Sequence, residues 1–398
     1  MKSKIVLAYS GGLDTSAIIP WLKENYKAEV IAYCCDVGNL PNESWLKNRA
    51  MNLGASEFIF ENLNDLFVDD FVFPMLRAGA TYQDDYLLGT AIARPLIAER
   101  IAIKAKELGA TAIAHGATGK GNDQLRFEKA WAYLVPDLKI ISPWREWSFK
   151  GRSDLLNYLA QKGFELEFDS GSEYSIDSNL LHTSTEGSYL ENIESQYKPE
   201  EIEALSKIDN NSSTDLTIQF EGGFPVGINE KSFSGANLLK KLNEIGMKHG
   251  LGVVDLVEER MNGIKSRGIY VTPGGTLLQF ALKQLKQICW SKEMYQLSQG
   301  LSQSYGDYIY DGAWFSEPRF ALEEFFKRAS LNLNGEIGLK LKGTQIIVTK
   351  RMSPFNLYNS KHVSFEEDEI GFNKAAEGYN VFATYPSKMA GLTSRVQL

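Results

Sequence analysis

Chemistry is most legible in the run Ser10-Gly11-Gly12-Leu13-Asp14-Thr15-Ser16. Paired glycines reach backbone conformations closed to other residues, so successive amide N–H groups can turn inward as an anion-binding nest. At the start of a helix the dipole and the free first-turn amides add to that attraction, and a phosphate chain is the anion that fits. Ser10, Thr15 and Ser16 add hydroxyl donors, while Asp14 can hold a divalent cation bridging the phosphate or cap the helix. The loop lacks the lysine of a Walker A motif, so the bound group need not be a γ-phosphate about to be transferred. An ordinary glycine turn with Asp14 or Thr15 as N-cap is the structural alternative.

A second constellation is His115-Gly116-Ala117-Thr118-Gly119-Lys120-Gly121-Asn122-Asp123-Gln124-Leu125-Arg126-Phe127-Glu128. Its glycines free the backbone for close approach to a ligand, and Asn122, Asp123 and Arg126 fall within about one helical turn, where they can address one molecule. Arg126 offers a planar fork for a carboxylate, Asn122 supplies donor and acceptor, and Asp123 can hold an amine or take its proton. An amino acid is the ligand these groups suit. The alternative is a glycine-rich turn capped by Asn122 or Asp123, with Arg126 paired to Glu128 in solvent. His115 stands near this chemistry, although packing or backbone positioning explains it at least as well. Cys34 and Cys35 are adjacent in a strand pattern and face opposite ways, which predicts buried structural thiols and no metal or redox site.

Both motifs need a strand before them and a helix after them. Strand patterns fall at residues 4–9, 29–35, 111–115 and 139–142, with a weaker candidate at 57–60. Helical patterns fall at 15–23, 43–53, 65–77, 90–108 and 123–133, with Pro20 expected to kink the first. The alternation predicts an α/β fold with a doubly wound parallel sheet. From residue 169 the chain turns polar, at Asp169-Ser170-Gly171-Ser172 and again at Asp209-Asn210-Asn211-Ser212-Ser213, which places a domain boundary near 168. Strands are expected at 216–220, 269–272 and 338–349, and helices at 235–249 and 277–297, giving an α+β second domain over 169–377 after a nucleotide-binding domain over 1–168. The aromatic stretch from Tyr305 to Phe315 reads as core or subunit-interface packing in preference to a stacking surface. The acidic run 365–369 reads as a solvated surface.

With 398 residues, 43% of them apolar, the chain can fill two or three cores. Its 42 basic against 50 acidic residues give a net charge of −8, which argues against a dedicated nucleic-acid partner. Three cysteines build no disulfide framework, and no apolar run reaches the roughly 18 residues of a membrane span. A soluble, unprocessed, cytoplasmic protein with no membrane partner is the expectation.

The run Ala8-Tyr9-Ser10-Gly11-Gly12-Leu13-Asp14-Thr15-Ser16 resembles the pyrophosphate loop of the N-type ATP pyrophosphatases, which cleave ATP to AMP and pyrophosphate. The motif at 115–128 narrows the resemblance to the argininosuccinate synthase family, and the likeness extends from Lys4 to about Lys388. Further segments that read like that family are Tyr86-Leu87-Leu88-Gly89-Thr90-Ala91-Ile92-Ala93-Arg94-Pro95, Pro143-Trp144-Arg145-Glu146-Trp147 and Tyr174-Ser175-Ile176-Asp177 with Asn179-Leu180. So do Gly263-Ile264-Lys265-Ser266-Arg267-Gly268-Ile269-Tyr270, Asp311-Gly312-Ala313-Trp314-Phe315-Ser316 and Pro354-Phe355-Asn356-Leu357-Tyr358. The resemblance implies ATP, with Mg²⁺, at Ala8, Tyr9, Ser10, Gly11, Gly12, Leu13, Asp14, Thr15 and Ser16, with Cys35 and Gly116 nearby. L-aspartate is implied at Thr118, Asn122 and Asp123. L-citrulline is implied at Tyr86, Ala91, Asn122 and Arg126, and at Ser175, Ser184, Glu258 and Tyr270 from the second domain. Many relatives carry serine where this chain has Ala91, so only a backbone contact survives there, and Cys35 replaces a usual alanine.

The implied reaction is an ATP-dependent ligation of citrulline and aspartate through a citrulline adenylate, with Asp14, Arg94 and Asp123 as candidate catalytic groups. Arg94 would reach the phosphates or the ureido oxygen, and Asp123 or the pyrophosphate would take the amine proton. A homotetramer is also implied, clasped by residues 378–398. A tRNA thiolation enzyme would share the first loop but needs catalytic cysteines and a basic face. A glutamine-dependent synthetase would need a nucleophile where this chain has Lys2. A nucleotide-sensing module that binds ATP without turnover is the non-enzymatic alternative.

Overall fold

The computed structural model describes residues 3–119, 121–164, 174–202, 205, 208 and 213–360. Among these, five short strands, β1 (Lys4–Ala8), β2 (Glu29–Asp36), β3 (Glu57–Asn62), β4 (Ala112–Ala114) and β5 (Lys139–Ile141), form a parallel sheet in the order β3-β2-β1-β4-β5. The weak candidate at 57–60 is thus a full edge strand, paired to β2 from Ile31↔Glu57 to Asp36↔Asn62. Alternating side chains of β1 enter different cores. Val6 packs with Ile31 and Tyr33 on one face, while Ile5 and Leu7 pack with Ala17, Ile18 and Leu22 of helix Leu13–Tyr26 on the other. Helices on both faces are why these strands are apolar at nearly every position. Cys34 and Cys35 fall into these two opposite cores, both buried.

Helix Leu13–Tyr26 continues unbroken through Pro20. The helix expected at 65–77 is interrupted: Asn64–Phe67, a π turn at Val68–Val72, then Phe73–Ala78. Pro74 explains part of this, because it has no N–H to continue the ladder from the preceding turn.

The remaining strands are antiparallel. β6 (Tyr174–Ser178), β7 (Thr183–Gly187), β11 (Val253–Glu259) and β12 (Lys265–Val271) form a sheet in the order β11-β12-β7-β6. β8 (Ser213–Glu221), β9 (Phe224–Ile228), β10 (Lys231–Ser232), β13 (Gly335–Lys342) and β14 (Gln345–Met352) form another, ordered β10-β9-β8-β13-β14. The single strand expected at 338–349 is therefore a hairpin, because Gly343 takes φ +50 and reverses the chain. The helix expected at 277–297 is two helices, Pro273–Cys289 and Lys292–Tyr310, since Ser291 accepts a hydrogen bond from Met294 N and starts a new helix. Tyr305, Tyr310 and Trp314 of the aromatic stretch are buried. One apolar core continues from Val6 and Ile31 to Leu277, Leu282, Ile337 and Leu339, joining the parallel sheet to the antiparallel half. No helix among the described residues is long and apolar enough to cross a membrane. The boundary near 168, the interruption at 209–212, the acidic run 365–369 and the segment 378–398 lie outside the described residues.

Candidate active site

The chain leaves β1 at Ser10, after Tyr9 has donated its amide to Tyr33 O at 2.9 Å. Gly11 then takes φ +78, and a Cβ there would stand 2.5 Å from Leu46 Cδ2, so both the backbone and the packing require glycine. The first bond of the following helix runs from Ser16 N to Gly12 O at 3.0 Å. The amides of Leu13, Asp14 and Thr15 therefore precede the helical ladder and are available to an anion. Ser10 Oγ and Thr15 Oγ1 lie 3.2 Å apart beside them. Beneath the loop, the buried Arg49 donates from Nε to Ser16 Oγ at 3.3 Å. A guanidinium thus underlies a loop without its own lysine, and nothing in the local sequence announced it because Arg49 arrives from another helix. Burial raises the carboxyl pKa of Asp14 and pushes the Tyr9 phenol up to about 12.

The second motif abuts this helix. A Cβ on Gly116 would lie 3.0 Å from Thr15 Cγ2 and 3.6 Å from Asp14 Cβ, so glycine allows the two loops to touch. His115 is buried; its Nδ1 accepts from Ala117 N at 3.2 Å and its Nε2 lies 3.2 Å from Glu128 Oε1. Its ring stacks on Phe127, which is the packing and backbone role. Thr118 is exposed on the connecting loop. Cys35 sits in the core on the far face of the sheet from helix Leu13–Tyr26, where burial holds its thiol well above the usual range.

Asn122 occupies the N-cap position of helix Asp123–Leu134 but makes no side-chain cap. Its side chain is drawn instead to the antiparallel half: Nδ2 donates to Tyr310 Oη at 2.9 Å, and Oδ1 accepts from Met261 N at 3.1 Å. Arg126 is buried, donating from Nε to Tyr310 O at 2.9 Å and from NH1 to Asp123 Oδ1 at 3.1 Å. Glu128 pairs with Arg145 and His115, so a solvent pair between Arg126 and Glu128 is not what forms.

Register gathers the second group. Directly opposed residues of antiparallel strands share a face, as do residues two apart along a strand. The pairs Ser175↔Glu186, Asp177↔Ser184, Tyr270↔Ser184, Gly268↔Glu186 and Glu258↔Ser266 therefore put Ser175, Ser184, Glu258 and Tyr270 on one face of the β11-β12-β7-β6 sheet. Tyr86 meets that face, with its ring centroid 4.8 Å from Tyr270 and 6.3 Å from Tyr310. Glu258 is buried and its Oε2 has no hydrogen-bond partner, an acceptor left open among Arg126, Tyr270 and Tyr310. Burial raises its pKa, with Arg126 opposing. Ser175 is exposed on the same face, and Ala91 is fully buried in helix Gly89–Glu107 and has no side-chain polar group to offer.

Arg94 closes the arrangement. Its NH2 lies 2.7 Å from Asp123 Oδ2 and 2.6 Å from Asp177 Oδ2. Burial alone would raise the Asp123 carboxyl, but Arg94 and Arg126 together hold it below the ordinary range. A carboxylate so stabilised is a poor proton acceptor and a good counter-ion for an ammonium. Asp177, Glu186, Met261, Arg260, His182 and Tyr310 are not among the site residues expected from the sequence. Tyr310 lies in the aromatic stretch expected to be packing, Arg260 binds Glu186 at 2.7 Å, and His182 stacks 5.6 Å from Tyr270 with its pKa lowered by burial to about 4.

A five-stranded parallel sheet with a glycine loop after β1, joined to an antiparallel half, is the architecture of a HUP domain followed by a second, mixed α/β domain. Residues 4–165 match the family model described as the argininosuccinate synthase N-terminal HUP domain, and residues 174–390 match that of the argininosuccinate synthase C-terminal domain. The chain belongs to the argininosuccinate synthase family. It is 45% identical over 382 residues to the argininosuccinate synthase of Caldanaerobacter subterraneus subsp. tengcongensis, covering 95% of this chain and 93% of that one. It is 44% identical over 398 residues to that of Carboxydothermus hydrogenoformans, covering 99% of each, and 46% identical over 379 residues to that of Pelagibacter ubique, covering 94% and 95%.

Proposed function

We propose that this chain condenses L-citrulline and L-aspartate to argininosuccinate, cleaving ATP to AMP and pyrophosphate, in a cytoplasmic setting. The observation that supports the reading is the close approach of Gly116, on the segment leading to Asn122, Asp123 and Arg126, to Thr15 and Asp14 in the first turn of the glycine-loop helix. The ureido carbon of citrulline is resonance-stabilised and its oxygen is a poor leaving group. That oxygen attacks the α-phosphorus, pyrophosphate departs, and the aspartate amine displaces AMP from the carbon. The amides of Leu13, Asp14 and Thr15 and the hydroxyls of Ser10 and Thr15 receive the charge that develops on pyrophosphate. The expected hydroxyl contact of Ser16 is replaced by a supporting role, since that side chain is buried and donates to Gly11 O at 3.4 Å.

Arg126, Asn122, Tyr86, Tyr270, Ser175, Ser184 and Glu258, with the backbone at Ala91, orient citrulline, and Thr118, Asn122 and Asp123 orient aspartate. Asp123 holds the ammonium as a fixed anion, which leaves the pyrophosphate as the better acceptor for the amine proton. Arg94, whose NH2 is shared by two carboxylates, positions Asp123 and is the candidate cation for the phosphates or the ureido oxygen. Among the described residues no cluster of three His, Cys, Asp or Glu could hold a metal ion, and Asp14 is the carboxylate at the loop. That donor set fits Mg²⁺ carried mainly by ATP phosphates, with Asp14 as the protein ligand. When bound, the ion would neutralise charge on the departing pyrophosphate.

Citrulline labelled with heavy oxygen at the ureido position is expected to pass its label to AMP, read by mass spectrometry. Unlabelled AMP refutes the adenylate route, and absence of AMP favours a nucleotide-sensing module. We also propose a homotetramer clasped by residues 378–398. Deleting them is expected to lower the mass seen by light scattering, whereas a truncated chain that stays tetrameric removes the tail from that role.

A further inference from the structure

We propose that Asp177 is a positioning residue for the aspartate subsite: by sharing the Arg94 guanidinium with Asp123, it leaves Asp123 the charge it needs to hold the substrate's ammonium. The inference rests on the reading of Asp123 as part of that subsite.

Arg94 projects from helix Gly89–Glu107, Asp123 opens helix Asp123–Leu134, and Asp177 stands on β6 in the antiparallel half. One guanidinium nitrogen is thus divided between carboxylates from both halves, at 2.7 Å and 2.6 Å. The other oxygen of Asp123 faces Arg126 NH1 at 3.1 Å. The result is a chain of alternating sign, Asp177, Arg94, Asp123, Arg126, in which two cations face two anions. Without the Asp177 charge, two guanidiniums would converge on one carboxylate, and the local excess of positive charge would repel an incoming ammonium. Glu186 lies on the same sheet face but is paired with Arg260 at 2.7 Å, so it does not substitute for Asp177 at Arg94. The side chains of Asp123 and Asp177 remain 29% and 34% exposed against 14% for Arg94, which leaves carboxylate surface open to a ligand while the cation is enclosed. Asp177 need not touch the reacting atoms for this; it acts through Arg94. The same bond ties β6 to the parallel-sheet half, so a purely structural tie is the competing role.

Steady-state kinetics on the full chain separates the two. Asp177→Asn is expected to raise KM for aspartate about tenfold, with KM for ATP and for citrulline changed less than about twofold. Asp177→Glu keeps the charge and is expected to restore most of the aspartate KM. A uniform change in all three KM values, or a fall in kcat alone, overturns the inference and leaves Asp177 as a structural tie. Asp123→Asn is measured beside it. If that variant impairs aspartate use and Asp177→Asn does not, the positioning role fails alone; if Asp123→Asn leaves the aspartate KM unchanged, the subsite reading fails and takes the inference with it. Should Asp177→Asn not fold, Asp177→Ser takes its place with the same reading: a rise confined to the aspartate KM, reversed in Asp177→Glu, supports the role, and any other pattern overturns it.

Discussion

Arg126→Lys is expected to lower kcat/KM for citrulline about a hundredfold, equivalent to ~3 kcal/mol of lost transition-state binding, with ATP affinity little changed. The charge survives this substitution, so the loss isolates geometry. Arg126 donates to Tyr310 O through Nε and to Asp123 through NH1, and its guanidinium lies 4.9 Å from the Tyr310 ring centroid. A lysine ammonium cannot hold the backbone carbonyl, the carboxylate and a substrate carboxylate at once from those directions. The buried surroundings make each lost bond expensive, because water does not replace it. Initial-rate measurements with each substrate varied in turn provide the test. Equal losses for citrulline and ATP would mean that the residue maintains the fold and does not anchor citrulline.

Gly11→Ala is expected to abolish most ATP-dependent turnover and to destabilise the chain at the same time. Its φ of +78 costs an L-residue about 1–2 kcal/mol, and the added methyl meets Leu46 Cδ2 at 2.5 Å and the Trp45 ring at 3.1 Å. Overpacking of that kind adds about 1–3 kcal/mol unless the helix Glu43–Asn52 shifts. A shift carries Arg49 and its bond to Ser16 with it, so the floor of the anion nest moves even where the fold survives. Pyrophosphate release and thermal melting, measured together, give the outcome. A variant with a lowered melting midpoint but an unchanged KM for ATP would show that the loop does not hold the phosphates.

The parallel sheet was readable because its strands and crossover helices leave local traces: apolar runs, glycine turns and amphipathic spacing. β3 was faint in the sequence because its residues are only partly buried at the sheet edge, and the break at Val68–Val72 was hidden because the spacing of Val68, Phe71 and Val72 about Asp69 and Asp70 fits either helical geometry. The hairpin β13–β14 was read as one strand since its turn is only Gly343-Thr344 between two β-rich runs.

The site divides in the same way. The amino-acid sequence by itself determined where the glycine turn falls, because Gly11, Gly12 and the hydroxyls that follow are contiguous and their conformation depends on the local backbone. It also determined that Asn122, Asp123 and Arg126 lie within one turn at the start of a helix. Family resemblance added Ser175, Ser184, Glu258 and Tyr270 as names without a geometry. Tertiary structure alone decided that strand register puts these four on one face, that Tyr310 and Met261 draw Asn122 away from its cap, and that Arg94 is divided between Asp123 and Asp177. Arg49 beneath the loop belongs with them. The physical reason is that a charge is defined by its neighbours: whether a carboxylate is a base, an anchor or a counter-ion depends on cations delivered by remote segments, and no local spacing encodes their arrival.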